Sequence, residues 1–146
     1  MTVGEICSKA VVTADPDETI PVAARRMRDR HVGALVVSDG TNPIGVLTDR
    51  DIVVSAVAQS PDKLDALLVR DVMTRDLVTA RANEPIEEAL RRMRARGVRR
   101  LPVVAGDGRI EGIVALDDIL DFMADELTQL AGLVAREQKV ERTTRR

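Results

Sequence analysis

Apolar residues at Ile20, Ala23, Ala24 and Met27 fall at the i, i+3, i+4, i+7 spacing of one helix face, and the same stripe returns at Ile86, Ala89, Leu90 and Met93. Pro21 and Pro85 stand where the first turn of a helix tolerates proline. The opposite face carries Arg25, Arg26, Arg28 and Arg30, echoed by Arg91, Arg92, Arg94 and Arg96. After each helix come two apolar runs joined by turn residues. ALVVS at 34–38 and GVLT at 45–48 flank Asp39-Gly40-Thr41-Asn42-Pro43; LPVVA at 101–105 and IEGIVA at 110–115 flank Gly106-Asp107-Gly108. Val11–Val12 and Leu77–Val78 predict a short extended segment ahead of each helix. A second helix follows each hairpin, from near Asp49 to Val57 and from Asp117 onward. The order is strand, helix, strand, strand, helix, twice. From Asp121 the helical pattern continues with Phe122, Leu127, Leu130 and Leu133 apolar, to an end at Thr143–Arg146 that is expected to fray.

The symmetry of the pattern is a duplication of the sequence itself. Sliding the chain by 66 positions lays residues 3–38 on 69–104 with 15 identities and no gap. Unrelated segments would share about two or three by composition alone. One extra residue in the second hairpin loop makes the offset 67, so that Gly45 meets Gly112, Asp51 meets Asp118 and Ile52 meets Ile119. The units divide as residues 1–60 and 67–126, with a linker at 61–66 and a C-terminal helical extension and tail at 127–146. A unit of this size buries too little surface alone, so the two are expected to pack face to face and share a core.

Composition narrows the function classes. Hydrophobic residues make up 45% and charged residues 32% of the 146, and the formal net charge is −2. That balance gives no bulk attraction to nucleic acid or anionic membrane. Arg outnumbers Lys by 19 to 3, which suits bidentate contacts to carboxylate or phosphate, or simply a solvated helix face paired with nearby acids. Phe122 is the one aromatic residue, so there is no platform for stacking bases. Cys7 and His31 are each single, which leaves no disulfide framework, no Cys-based zinc site and no His-rich metal site. Cys7 matches Met73 and reads as a small buried hydrophobe; His31 sits at a helix end matched by Gly97. No nucleophile–base pair or Gly-rich phosphate loop marks an enzyme. Acidic and basic residues through the first thirty positions exclude a signal-peptide core, and no apolar run is long enough to span a bilayer, so a cytoplasmic location is expected.

The chemistry concentrates at Gly45–Ile52, GVLTDRDI, and its copy GIVALDDI. Thr48 followed three residues later by Asp51 is a helix cap with Asp in place of Glu. The same strand-to-helix turn offers free N–H groups and the positive end of a dipole to an anion. The copy keeps Asp118 but has Ala115 in place of Thr48, so the two residues come apart. If the Asp served only a mutual cap, losing the Thr would remove the reason for it.

Two strand–helix–strand–strand–helix units, with Gly-h-h-Thr-x-x-Asp at the end of a strand, Met73-Thr74 and Leu-Pro-Val-Val at 101–104, resemble a tandem pair of cystathionine beta-synthase (CBS) domains, a Bateman module. The resemblance runs from Val3 to Ala124. It implies an α+β fold in which two β-α-β-β-α motifs pack by their sheets about a pseudo-twofold axis, and a homodimer in which four motifs form a flat disc. It further implies that clefts between the motifs bind an adenosine compound such as AMP, ADP, ATP, S-adenosylmethionine or an NAD-type dinucleotide, as a regulatory ligand rather than a required cofactor. By that resemblance Asp51 holds the ribose hydroxyls, Thr48 touches phosphate, and Arg50 adds a phosphate contact; Asp118 is the second motif's counterpart. Val12, Thr13, Val78 and Thr79 would grip adenine through backbone groups and small side chains. Arg99 and Arg100, where the first motif has Gly33 and Ala34, would bring positive charge. The expectation is a sensor that signals to a partner protein in trans. The alternatives are a structural or interaction dimer with vestigial clefts and, against the charge and the missing aromatics, a nucleic-acid binder using its Arg-rich helices.

Overall fold

The computed structural model describes residues 1–144 of the chain. In chain order the elements are α1 (Val3–Ile6), β1 (Thr13–Ala14), α2 (Ile20–Arg30), β2 (Ala34–Ser38), β3 (Pro43–Thr48), α3 (Asp49–Asp51), α4 (Val69–Val72), β4 (Ala80–Arg81), α5 (Ile86–Arg96), β5 (Arg100–Val104), β6 (Ile110–Ala115) and α6 (Leu116–Thr144). A π-helical turn, Ile52–Val57, continues α3 without a break, and the stretch read as a linker is folded into a 3-10 segment, Pro61–Ala66, with Leu64 packed on the first core. The extended segments expected at Val11–Val12 and Leu77–Val78 pair as strands only at Thr13–Ala14 and Ala80–Arg81. Pro21 lies in the first turn of α2, whereas Pro85 is the residue that caps α5. Of the end expected to fray, Thr143 and Thr144 continue α6; Arg145 and Arg146 lie outside the described residues. No helix of the described chain is long and apolar enough to cross a membrane.

The duplication reappears as two three-stranded sheets, β1-β2-β3 and β4-β5-β6, each with a parallel first pair and an antiparallel second pair. Alternation sorts the side chains of each sheet. Leu35, Val37 and Leu47 face Ile20, Ala23 and Met27 of α2 in one core. Leu101, Val103 and Val114 face Ile86, Ala89 and Met93 of α5 in the other. On the reverse faces Val36 and Pro102, at matching positions, are also fully buried. His31 and Gly97 end the two long helices in the left-handed region, at φ 54° and 66°. Only the second repeat places there the residue without a Cβ penalty.

The repeats do not share one core, as their size had suggested. They complete each other's. Val69, Val72 and Met73, which lead the second repeat, belong to the core of the first, and Val3, which leads the first, belongs to the core of the second. Each leading segment is then zipped to the edge of the other repeat's last strand. Thr74 exchanges both backbone bonds with Val46, at 2.9 and 3.1 Å, and Ser8 does the same with Ile113, both at 2.9 Å. Eight buried apolar side chains per repeat are too few to make a stable core alone, and the exchange adds to them.

This zipping explains the glycine at the head of each Gly-h-h-Thr/Ala stretch. A Cβ on Gly45 would lie 2.8 Å from the carbonyl oxygen of Thr74 and 3.0 Å from the Met73 sulfur. One on Gly112 would lie 2.6 Å from the carbonyl oxygen of Ser8 and 3.0 Å from the Cys7 sulfur. In each case a hydrogen-bonded backbone, not a flexible side chain, is in the way. Gly45→Ala and Gly112→Ala are each expected to cost about 1–3 kcal/mol, as overpacking of a filled interior does. Thermal unfolding measures this, and an unchanged midpoint for both would show that the leading segments are not clamped there.

Candidate functional site

At the end of β3 the chain turns directly into α3, and this turn is a capping box. The Asp51 N–H donates to Thr48 Oγ1 at 3.0 Å, and the Thr48 N–H donates to Asp51 Oδ2 at 3.0 Å. In the second repeat the Ala115 N–H donates to Asp118 Oδ2 at 3.1 Å without any hydroxyl at position 115. The carboxylate therefore caps its helix whether or not the threonine is present. The retention of Asp118 needs no role beyond this, and the discrimination drawn from the sequence falls away.

Zipping of the second leading segment against β3 creates a cleft between the repeats, with a volume of about 470 Å³. This is within the usual range of small-molecule sites, roughly 300–1,000 Å³. One wall is Val46, Thr48, Asp49 and Arg50 of the first repeat. The other is Thr74, Asp76, Leu77 and Val78, followed by Gly97–Arg100, of the second. Thr48, Arg50, Val78, Arg99 and Arg100 are thus brought together out of the residues singled out in sequence. Asp51 does not line the cleft but is fixed to it through Thr48. Val12 packs half-buried on the first core, and its carbonyl accepts the Val36 N–H at 3.1 Å. Thr13 lies in a separate groove with Lys9 and Arg109. Thr79 and Asp118 line neither. The threonine of one repeat therefore faces the leading segment of the other, Val78 rather than Val12, because the leading segments are exchanged.

Sequence reasoning missed Asp49, Asp76, Leu77 and Gly97 as cleft residues. Gly97 carried a signal, as the glycine ending a predicted helix, and Asp49 lies between Thr48 and Arg50 in the chain; Asp76 and Leu77 join them only through the exchange.

Two features make the cleft chemically distinct from its pseudo-symmetric counterpart. The first is an acceptor. Val36 donates its N–H to Val12, but the matching residue in β5 is Pro102, which has no N–H. The carbonyl of Val78 is left without the bond that its copy has, at the wall of the cleft. The second is charge. Positions Thr48, Arg50, Arg99 and Arg100 correspond to Ala115, Asp117, Gly33 and Ala34 on the other side. Arg99 is 3.7 Å from Asp117, an exposed pair, and Arg96 bonds Asp76 at the rim. Arg50 and Arg100 are in no ion pair among the described residues. Arg100 is half-buried, with its Nη2 3.6 Å from where a Cβ on Gly33 would stand. No group of three His, Cys, Asp or Glu side chains among the described residues is arranged to hold a metal ion.

One arginine on each of α2 and α5 is engaged elsewhere. Arg26 bonds both oxygens of Glu18, at 2.9 and 2.6 Å, and the carbonyl of Thr13 at 3.1 Å, which ties α2 to β1. Arg92 and Glu84 repeat the pair in the second unit. The Arg26 hydrogen bonds hold the Glu18 carboxyl below its ordinary range, and Glu18 in turn raises Arg26. Burial pushes the Cys7 thiol up, so this half-buried residue, bonded to the Gly4 carbonyl, stays a thiol at neutral pH. A carboxyl with a depressed folded-state pKa adds stability above its unfolded pKa and loses it as pH falls through the folded value. Glu18→Gln is expected to cost about 1 kcal/mol at neutral pH. Denaturant titrations should show the gap between variant and parent closing as pH drops through and below the usual carboxylate range. A gap that is the same at every pH would mean the pair contributes nothing by its charge.

Comparison with known proteins agrees with this architecture. The profile of the CBS domain matches residues 3–57 and again 69–125. An uncharacterised protein of Methanopyrus kandleri is 36% identical over 121 residues, which are 82% of this chain and 61% of that protein, so the chain spans less than two thirds of that relative's length. An inosine-5'-monophosphate dehydrogenase of Methanocaldococcus jannaschii is 38% identical over 117 residues, 80% of this chain but 22% of the enzyme. Among solved structures, a CBS domain pair in complex with 5'-methylthioadenosine and S-adenosyl-L-methionine superposes with a TM-score of 0.76 at 27% identity, covering 86% of this chain and 98% of that one.

Proposed function

The chain belongs to the CBS domain family, and from that premise we propose that it is a regulatory module whose cleft between the repeats takes up an adenosine-containing compound and passes its occupancy to a partner protein. It acts by binding rather than by catalysis, in the cytoplasm, where such compounds are held. The observation that carries this reading is the meeting of Thr48, the free carbonyl of Val78 and the unpaired Arg50 and Arg100 in one cleft of about 470 Å³. A carbonyl acceptor suits the exocyclic amine of adenine. The start of α3 and two guanidinium groups suit a phosphate. Asp51 stands behind Thr48 and, by taking the Thr48 N–H on Oδ2 and donating its own N–H to Thr48 Oγ1, fixes that residue at the cleft wall. The complex of a similar CBS pair with two adenosine compounds supports the ligand class. The uneven distribution of these groups between the two sides favours one such ligand per chain over two.

The same reading includes a homodimer. Val53, Val54 and Val57 stand exposed on the π-helical turn, and Leu120, the repeat partner of Val53, is exposed at the matching place on α6. A second copy is the simplest cover for such a pair of related apolar patches. Val53→Asp is expected to move association, followed by sedimentation velocity, to higher protein concentration. If the concentration dependence stays the same, this face is not the contact.

Thermal unfolding in the presence of AMP, ADP, ATP, 5'-methylthioadenosine, S-adenosylmethionine and NAD tests the ligand. A compound present at a hundred times its dissociation constant adds about 2.7 kcal/mol to the native state. At least one should raise the midpoint. Arg100→Ala and Arg50→Ala, which break no ion pair, should reduce the shift given by phosphate-bearing compounds and leave that of uncharged 5'-methylthioadenosine. Asp51→Ala should reduce the shift for all of them at a cost of about 1 kcal/mol from the cap. No response to any compound would leave the structural dimer as the function.

A further inference from the structure

Pro102 does more to the second repeat than free one carbonyl. In the first repeat the pairing of β1 with β2 begins at Thr13, opposite Val36. Its copy, Thr79 opposite Pro102, does not pair, and β4 joins β5 only from Ala80. The ladder starts one residue later because β5 has no N–H to donate at that level. Residues 75–79, which carry the Val78 carbonyl along the cleft wall, are left spanning from the Thr74–Val46 pair to Ala80. Among the described residues, the backbone bond of this stretch, from the Leu77 N–H to the Arg75 carbonyl at 2.8 Å, is internal. Arg75 itself reaches back to the Arg70 carbonyl, at 3.1 Å. A different contact ties the stretch to the body of its repeat. Asp76 forms an ion pair with Arg96, at the end of the helix that leads into β5. The first repeat has Arg30 at the place of Arg96 but Ala10 at that of Asp76, and cannot make this pair. The pair is present in the repeat that lacks the strand bond and absent from the repeat that has it.

We propose that Asp76 and Arg96 are positioning residues for the cleft: their ion pair replaces the strand bond that Pro102 removes and holds Leu77 and Val78 at the wall. A backbone bond would hold the segment as well, but it would consume the Val78 carbonyl. The side-chain pair fixes the strand and leaves that acceptor open. In the adenosine reading of the cleft, on which this rests, the carbonyl then meets the exocyclic amine of the base. Both side chains are largely exposed. The pair therefore adds little to global stability and weakens with salt, and its effect falls on one short segment.

Adenosine, which has the base and the ribose but no charge, is the probe, titrated by calorimetry into the full chain. Asp76→Asn and Arg96→Gln should each weaken its binding about twofold to fivefold, the range of a partly exposed ion pair. The double variant should lose no more than either single one, because both remove the same contact. Asp76→Glu, which keeps the charge, should keep most of the affinity. Added salt should weaken adenosine binding by the parent but not by Asp76→Asn. NMR relaxation without ligand gives a second reading. The backbone amides of Asp76, Leu77 and Val78 should be rigid in the parent and mobile in Asp76→Asn. Adding Pro102→Val, the residue of the first repeat, should make them rigid again while lowering the affinity for adenosine. Losses that add, an affinity indifferent to both single substitutions, or amides equally ordered with and without the carboxylate would overturn the proposal. A parent that binds no adenosine, with amides that lose order in Asp76→Asn, would uphold the tie and overturn the adenosine reading alone.

Discussion

Each leading segment passes over a glycine on the other repeat's last strand, Thr74 over Gly45 and Ser8 over Gly112, so closely that no side chain fits between them. The remaining architecture follows from it. The backbone pairs Thr74–Val46 and Ser8–Ile113 can form only if nothing projects from those two positions. Formation of these pairs carries Val69, Val72 and Met73 into one core and Val3 into the other. Two repeats that are each too small to stand alone become mutually dependent, a stronger coupling than face-to-face contact between finished units. The cleft is a by-product of the same passage. The chain leaving Thr74 has to run along the end of β3, and this sets Leu77 and Val78 across from Thr48.

The two repeats are alike in sequence, and the cleft lies where they differ. Pro102 in place of Val36 removes a strand bond and frees a carbonyl. Thr48 against Ala115 gives one turn a hydroxyl that the other lacks. Arg99 and Arg100 stand where the first repeat has Gly33 and Ala34. None of these differences disturbs the cores, because all fall at the ends of strands or on the face turned away from α2 and α5. Divergence at such positions costs the fold little and leaves it free to build a site.

Divergence has spared the polar scaffold. The Glu18–Arg26 pair and its copy Glu84–Arg92 tie the segment that enters each of α2 and α5 to the body of that helix, and Arg26 also bonds the carbonyl of Thr13 in β1. Arg26 and Arg92 are therefore structural, while the other arginines of α2 and α5 lie exposed on the helix surface. The carboxylates of Asp51 and Asp118 cap their helices in the same way, one with and one without a hydroxyl partner.

By itself the sequence determined the duplication, the element order, the two apolar stripes, the capping box at Thr48 and Asp51, and through them the family. These are consequences of local periodicity and of repetition, which need no knowledge of what touches what. The tertiary structure alone decided that the leading segments change places, that Val78 and not Val12 faces Thr48, and that Asp76 and Leu77 join the cleft. Glycine at 45 and 112 was legible as a motif but not as a steric necessity, since the atoms that demand it come from the other repeat. The unpaired state of Arg50 and Arg100 was equally out of reach. Whether a guanidinium meets a carboxylate is fixed by packing between segments far apart in the chain, and local spacing carries no record of it.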